Sequence, residues 1–161
     1  MDITPERAEK YDFSTPYAFN RTAVITKADD DSINTLEDLK GKKTANTISS
    51  TYAELAEQYG ATVTGVDDLN QTFELLLSGR IDATLNAEMT FYDYTKEHPD
   101  ANAKIAVLTA DANEVAIPMR KGDETATLRA AIDTAIEEMR ADGTLKELSE
   151  KYFGTDISTN E

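Results

Sequence analysis

The feature that most restricts this chain is a regular alternation of two hydrophobic periods. Short runs rich in β-branched residues give way to runs with apolar residues at i, i+3 and i+4. Arg21 to Lys27 (RTAVITK), Thr44 to Ile48, Ala61 to Val66 and Ile81 to Asn86 read as strands. Between them lie helical stretches with their own start and stop signals. Asn34 or Thr35 can cap a short helix to Leu39, and Ser50-Thr51 precede Tyr52 to Tyr59, which Gly60 stops. Asp67 or Asp68 can cap a helix through Ser78 with Leu69, Phe73, Leu76 and Leu77 on one face, and Met89 to Lys96 forms another that stops before Pro99. Alternation of this kind predicts an α/β fold with a largely parallel sheet. Ligands of such sheets bind beyond the carboxyl ends of the strands, which directs attention to Ser49-Ser50-Thr51 and to Asn86-Ala87-Glu88.

The last third continues the pattern. Lys104 to Leu108 and Glu114 to Met119 read as strands, and a long helix is expected from about Glu124 to Arg140. Its apolar stripe is Leu128, Ile132, Ala135, Ile136 and Met139. Asp142-Gly143 breaks that helix, and Thr144 is expected to cap a final one with Leu145, Leu148 and Tyr152 inward. The polar tail after Gly154 is expected to fray.

Composition then narrows the function. The 161 residues include 16 Lys and Arg against 31 Asp and Glu, a formal net charge of -15. Such a chain repels phosphate backbones, so nucleic acid is not an expected partner. With no cysteine, disulfides, thiolate metal sites and cysteine nucleophiles are all excluded. No apolar run approaches the ~18 residues of a membrane span. The segment Met1 to Arg7 is polar and lacks a signal-peptide pattern, as an exported protein does after processing. There is no glycine-rich phosphate loop, no GxSxG, no HExxH and no second His beside His98. No cofactor or metal is expected. Asp29-Asp30-Asp31 lacks the glycine of a calcium loop and reads as a charged turn.

Five segments then fall in a familiar order: DITPERAEKYDFSTPY at 2–17, TLEDLKGKK at 35–43, SSTYAELAEQYGA at 49–61, LLLSGRIDATLNA at 75–87 and AIEEMRADGTLKELSEKYFG at 135–154. Together they resemble the polar amino-acid solute-binding proteins of ABC importers, with the type II periplasmic-binding-protein fold, and most nearly the branch associated with cystine. The resemblance implies an extracytoplasmic protein, not an enzyme, that closes two lobes on a small polar amino acid and delivers it to an ABC permease. It implies a second lobe over residues 21–117 and first-lobe portions at 1–20 and 118–161, with hinge crossings near Asn20 and Ile117. Relatives carry a further first-lobe segment ahead of the TPER motif. A chain starting at that motif is expected to bind its amino acid weakly and to associate as a homodimer through the uncovered stripe of the long helix. The same module also serves as the sensing domain of receptors, and a dehydratase-like enzyme shares the fold.

The resemblance also implies site residues. Arg7 matches the arginine that grips the ligand α-carboxylate, a task suited to a planar two-pronged donor. Ser50 and Thr51 match the hydroxyl pair at the start of the second-lobe helix, where capping and carboxylate binding use the same geometry. Many relatives place an Asp at position 87 to hold the ligand ammonium, which Ala87 cannot do. Asp2 or Glu88 is then the expected replacement, Glu88 doubling as a first-turn helix acid, and Asn86 completes the set. Tyr11, Phe13, Pro16 and Tyr17 read as packing and hinge residues, and His98 as solvated.

Overall fold

The computed structural model describes residues 1–160. The chain divides into two compact units, Arg21–Ala110 and a second made of Met1–Asn20 with the segment from Asp111 onward.

In the Arg21–Ala110 unit, strand β2 (Ala18–Lys27) is central, between β5 (Thr84–Ala87) and β6 (Ala103–Val115). β2 runs antiparallel to β5, with Thr22 opposite Ala87 and Ile25 opposite Thr84. β3 (Lys43–Thr47) and β4 (Thr62–Val66) pair in parallel, joined by helix α2 (Thr51–Gln58). A parallel bridge from Thr44 to Ala83 aligns β3 with the approach to β5. Helix α3 (Leu69–Leu77) follows β4, and α4 (Glu88–Glu97) follows β5. The pairing is therefore mixed rather than largely parallel. A strand–helix–strand crossover makes β3 and β4 parallel, but no single crossover joins β2 to β5. β-Branched runs mark where strands are, not which way their neighbours run.

Both faces of β2 are buried, which explains its unbroken apolar run. Ala23 and Ile25 enter a cluster with Ala45, Val66, Phe73, Leu76, Ile81 and Phe91. Val24, on the opposite pleat, packs with Ile33, Leu39, Ala56, Ala83 and Leu85. The expected α3 face holds: Phe73 and Leu76 are fully buried, and Phe73 stacks on Tyr94 with centroids 3.6 Å apart. Asp68 is the α3 cap, accepting from Gln71 N at 3.0 Å. Thr35 precedes the turn Leu36–Leu39, where the Asp38 carboxylate accepts from the backbone N–H of Asn34 and Thr35.

In the other unit, Thr4 caps a short helix α1 (Pro5–Lys10), a start signalled by Thr before Pro. Strand β1 (Tyr11–Phe13) pairs antiparallel with β7 (Pro118–Arg120). Helices α5 (Ala126–Ala141) and α6 (Thr144–Phe153) follow. Four expectations change here. The strands at 104–108 and 114–119 divide differently: β6 runs from Ala103 through the polar Thr109–Asn113 stretch to Val115, and Pro118–Met119 belong to β7. Gly143, left-handed at φ 85°, is the α6 N-cap in place of Thr144, whose own N–H donates to Asp142. Leu148 and Tyr152 are 39% and 57% exposed rather than inward, while Ser149 is the buried residue of α6. The tail is pinned instead of frayed: the Ser149 hydroxyl donates to Thr155 O and accepts from Ile157 N, and Phe19 N donates to Ile157 O. Of the α5 stripe, Ile136 is buried, Ile132 and Met139 are half-buried, and Leu128 is 56% exposed.

Candidate functional site

Strand direction determines where the chemistry collects in the Arg21–Ala110 unit. β3 and the approach to β5 run the same way, so the turns leaving β3 and β5 open at one end of the sheet. β2 runs opposite, so its residues near Arg21 start at that end.

The turn after β3 is sharp. Ser49 adopts φ 58°, a left-handed backbone outside the usual range of non-glycine residues. Ser50 then caps α2, its Oγ accepting from Ala53 N at 3.1 Å, and Thr51 is the first helical residue. A helix start concentrates backbone N–H groups and positive dipole, which favours a carboxylate. Asn46, at the end of β3 and only 2% exposed, donates from Nδ2 to Leu85 O at 2.7 Å, while its Oδ1 has no partner.

The turn after β5 is built differently. Asn86 Oδ1 accepts from the N–H of Ala87 at 2.9 Å. Ala87 supplies no side-chain cap, and Glu88 opens α4. Both Glu88 oxygens accept from one guanidinium: Arg21 Nε at 3.0 Å and Arg21 Nη2 at 2.9 Å. The side chains are unequally covered, Glu88 at 7% exposure and Arg21 at 46%. The hydrogen bond to Glu88, then its charge, raises the Arg21 pKa above the usual arginine value. Arg21 is absent from the residues expected from sequence. Its one signal is a charged side chain opening an otherwise apolar strand run.

The other unit holds Arg7 and Asp2. Arg7 sits on α1, its N–H bonded to the Thr4 cap at 3.2 Å, and its Nη1 donates to the Asp2 carbonyl at 3.0 Å. Asp2 is tied down by a bridge to Val115. The fold thus brings Arg7 to Asp2 in one unit, and gathers Ser50, Thr51, Asn86 and Glu88 at one sheet end in the other.

The remaining candidates are accounted for locally. His98 is exposed at the end of α4, its ring 4.5 Å from that of Tyr94. Asp30 accepts from Ser32 N, and Asp31 pairs with Lys104, as a charged turn does. Among the described residues no cluster of acids or His could hold a metal ion, and no helix is long and apolar enough to cross a membrane.

Comparison with known proteins gives these units a context. Residues 1–155 match the family described as bacterial extracellular solute-binding proteins, family 3. The L-cystine-binding protein TcyA of Bacillus subtilis is 37% identical over 95% of this chain and 56% of its own length. The L-cystine-binding protein TcyJ of Escherichia coli is 39% identical over 98% of this chain and 59% of its own. An ancestral arginine-binding protein solved bound to glutamine superposes with a TM-score of 0.86 at 38% identity, covering 96% of this chain and 68% of the other. The chain therefore spans less than two thirds of the length of these curated relatives.

Proposed function

The chain belongs to the bacterial extracellular solute-binding proteins of family 3, and on that premise we propose that it binds a small polar amino acid for an ABC importer. That family comprises solute-binding proteins of the type II periplasmic-binding-protein fold, not enzymes. In this reading the α-carboxylate is held by Arg7, Ser50 and Thr51, and the ammonium by a carboxylate, with Asn86 beside it. The observation that carries the reading is the start of α2, where a left-handed Ser49 turn delivers Ser50 and Thr51 to a helix N-terminus. The Arg21 fork on Glu88 favours Asp2 over Glu88 for the ammonium.

Cystine is the first ligand to test, because TcyA and TcyJ are named for it. The partner is a membrane permease, and the setting is the periplasm or the cell surface as a lipoprotein. Residues 21–117 would act as one lobe, with hinges near Asn20 and Ile117. Calorimetry with a panel of amino acids tests the proposal, and absence of binding across the panel overturns it.

We also propose that this chain forms a homodimer. Leu128, Leu148, Tyr152 and Phe153, all in α5 and α6, are between 37% and 57% exposed. Contiguous exposed apolar side chains are associated with interaction surfaces. Light scattering at low micromolar concentration decides it, and a strict monomer rejects it.

A further inference from the structure

Resting on the amino-acid reading above, we propose that Arg21 selects the ligand: its guanidinium, anchored on Glu88, binds a second carboxylate carried by the amino acid's side chain. The anchoring is one-sided. Glu88 is nearly covered while Arg21 remains 46% exposed, so the pair buries its negative member and presents its positive one. Glu88 engages Nε and Nη2, so the Nη1 edge of the guanidinium is not taken up by that carboxylate. A guanidinium is always charged and its fork matches a carboxylate. Fixing one edge on Glu88 orients the other edge, which lowers the entropy lost when a ligand binds.

Position supports the assignment. Arg21 stands beside Thr22, which pairs with Ala87 immediately before Glu88, at the sheet end where Ser50 and Thr51 also lie. Glu88 is the one acid in the turns that leave β3 and β5, and both of its oxygens are on Arg21. Beside Arg21 a cationic side chain therefore meets a like charge, a repulsive element that sharpens selectivity, and the neighbouring Glu88 carboxylate is already engaged. Asn46 Oδ1, buried without a partner, adds a neutral acceptor only.

The test is an NMR titration of the isotope-labelled chain, which reads weak as well as tight binding. L-aspartate, L-glutamate and L-2-aminoadipate are each compared with the corresponding side-chain amide, so reach varies while shape is kept. In at least one pair the acid should bind about tenfold more tightly than its amide, the gain of one charge-assisted bond, and should move the Arg21 Nε–H signal. The double variant Arg21→Met with Glu88→Gln removes both charges together, so no buried carboxylate is stranded. It should abolish the preference while amide binding persists. Equal binding of acid and amide in every pair, or a preference that survives the double variant, overturns the assignment of Arg21 alone. The wild-type comparison and the Arg21 signal decide the matter even if the variant fails to fold. If no amino acid of the series or of the wider panel binds, the amino-acid reading falls and this one with it.

Discussion

Arg7 and Ser50 differ in what their loss should do, because one is charged and the other shapes the backbone. Arg7 contributes to its own unit through the Asp2 carbonyl bond and the N–H that Thr4 accepts. Arg7→Ala keeps that N–H, so the helix start should survive. Ligand binding should weaken by about 1.5–3 kcal/mol, the worth of hydrogen bonds to a charged group. Calorimetry showing unchanged affinity would remove Arg7 from the site. Ser50→Ala should act twice. It loses a neutral ligand bond of about 0.5–1.5 kcal/mol, and it loses the cap on Ala53 N, costing about 1 kcal/mol of stability. Denaturant unfolding and ligand titration on one sample separate the two effects.

At the scale of elements, local hydrogen bonds set pH dependence and end the chain. Asp38 accepts from Asn34 N and Thr35 N, and these bonds hold its carboxyl below the ordinary aspartate value. A lowered folded-state pKa means the stabilisation is present above the unfolded value of about 4. It is lost as pH falls through the lower folded value. A carbon-detected side-chain titration should therefore place the Asp38 carboxyl below the ordinary aspartate value. Asp38→Asn should abolish the acid sensitivity of amide protection at Asn34 and Thr35. At the other end of the chain, Ser149 links α6 to the tail through Thr155 O and Ile157 N. Ser149→Ala should cost about 1 kcal/mol and speed amide exchange at Ile157, with α6 itself little changed. Unaltered exchange at Ile157 would mean that Phe19 alone anchors the tail.

For the molecule as a whole, stability is unevenly distributed. The largest fully buried side chains, Phe73, Ile25, Ile33, Leu39, Leu76, Leu85 and Val24, all belong to the Arg21–Ala110 unit. The other unit buries Val115, Met119, Ile136 and Ile157 among its larger apolar residues. Phe73→Ala should destabilise the Arg21–Ala110 unit by about 3–5 kcal/mol, through lost transfer energy and a cavity beneath Tyr94. Chemical denaturation followed by far-ultraviolet circular dichroism would register it, and a loss below about 1 kcal/mol would show that the core collapses around the gap. Association should depend on salt in a defined direction. The net charge of -15 opposes self-association, and repulsion is screened within about 10 Å at 0.1 M salt. Raising salt should therefore increase the dimer fraction seen by light scattering, and Leu128→Ser with Tyr152→Ser should reduce it at every salt concentration.

What the sequence by itself determined is whatever rests on neighbours within a turn. Ser50 and Asp68 as caps, Gly60 at φ 82° and Gly79 at φ 71° after helices, and the strand cores of β3 and β4 all follow from side-chain and backbone bonds spanning a few residues. The family, too, was legible in five motifs whose order survives in linear text. The tertiary structure alone decided the rest. β2 lies antiparallel to β5, the tail returns to Ser149 and Phe19, and Leu148 and Tyr152 remain uncovered. Arg21 meets Glu88 across 67 residues. No local pattern encodes that meeting, because it depends on which strand pairs with which and on the register that sets Thr22 opposite Ala87. A charge at the start of a strand reads as solvated until the fold supplies its partner.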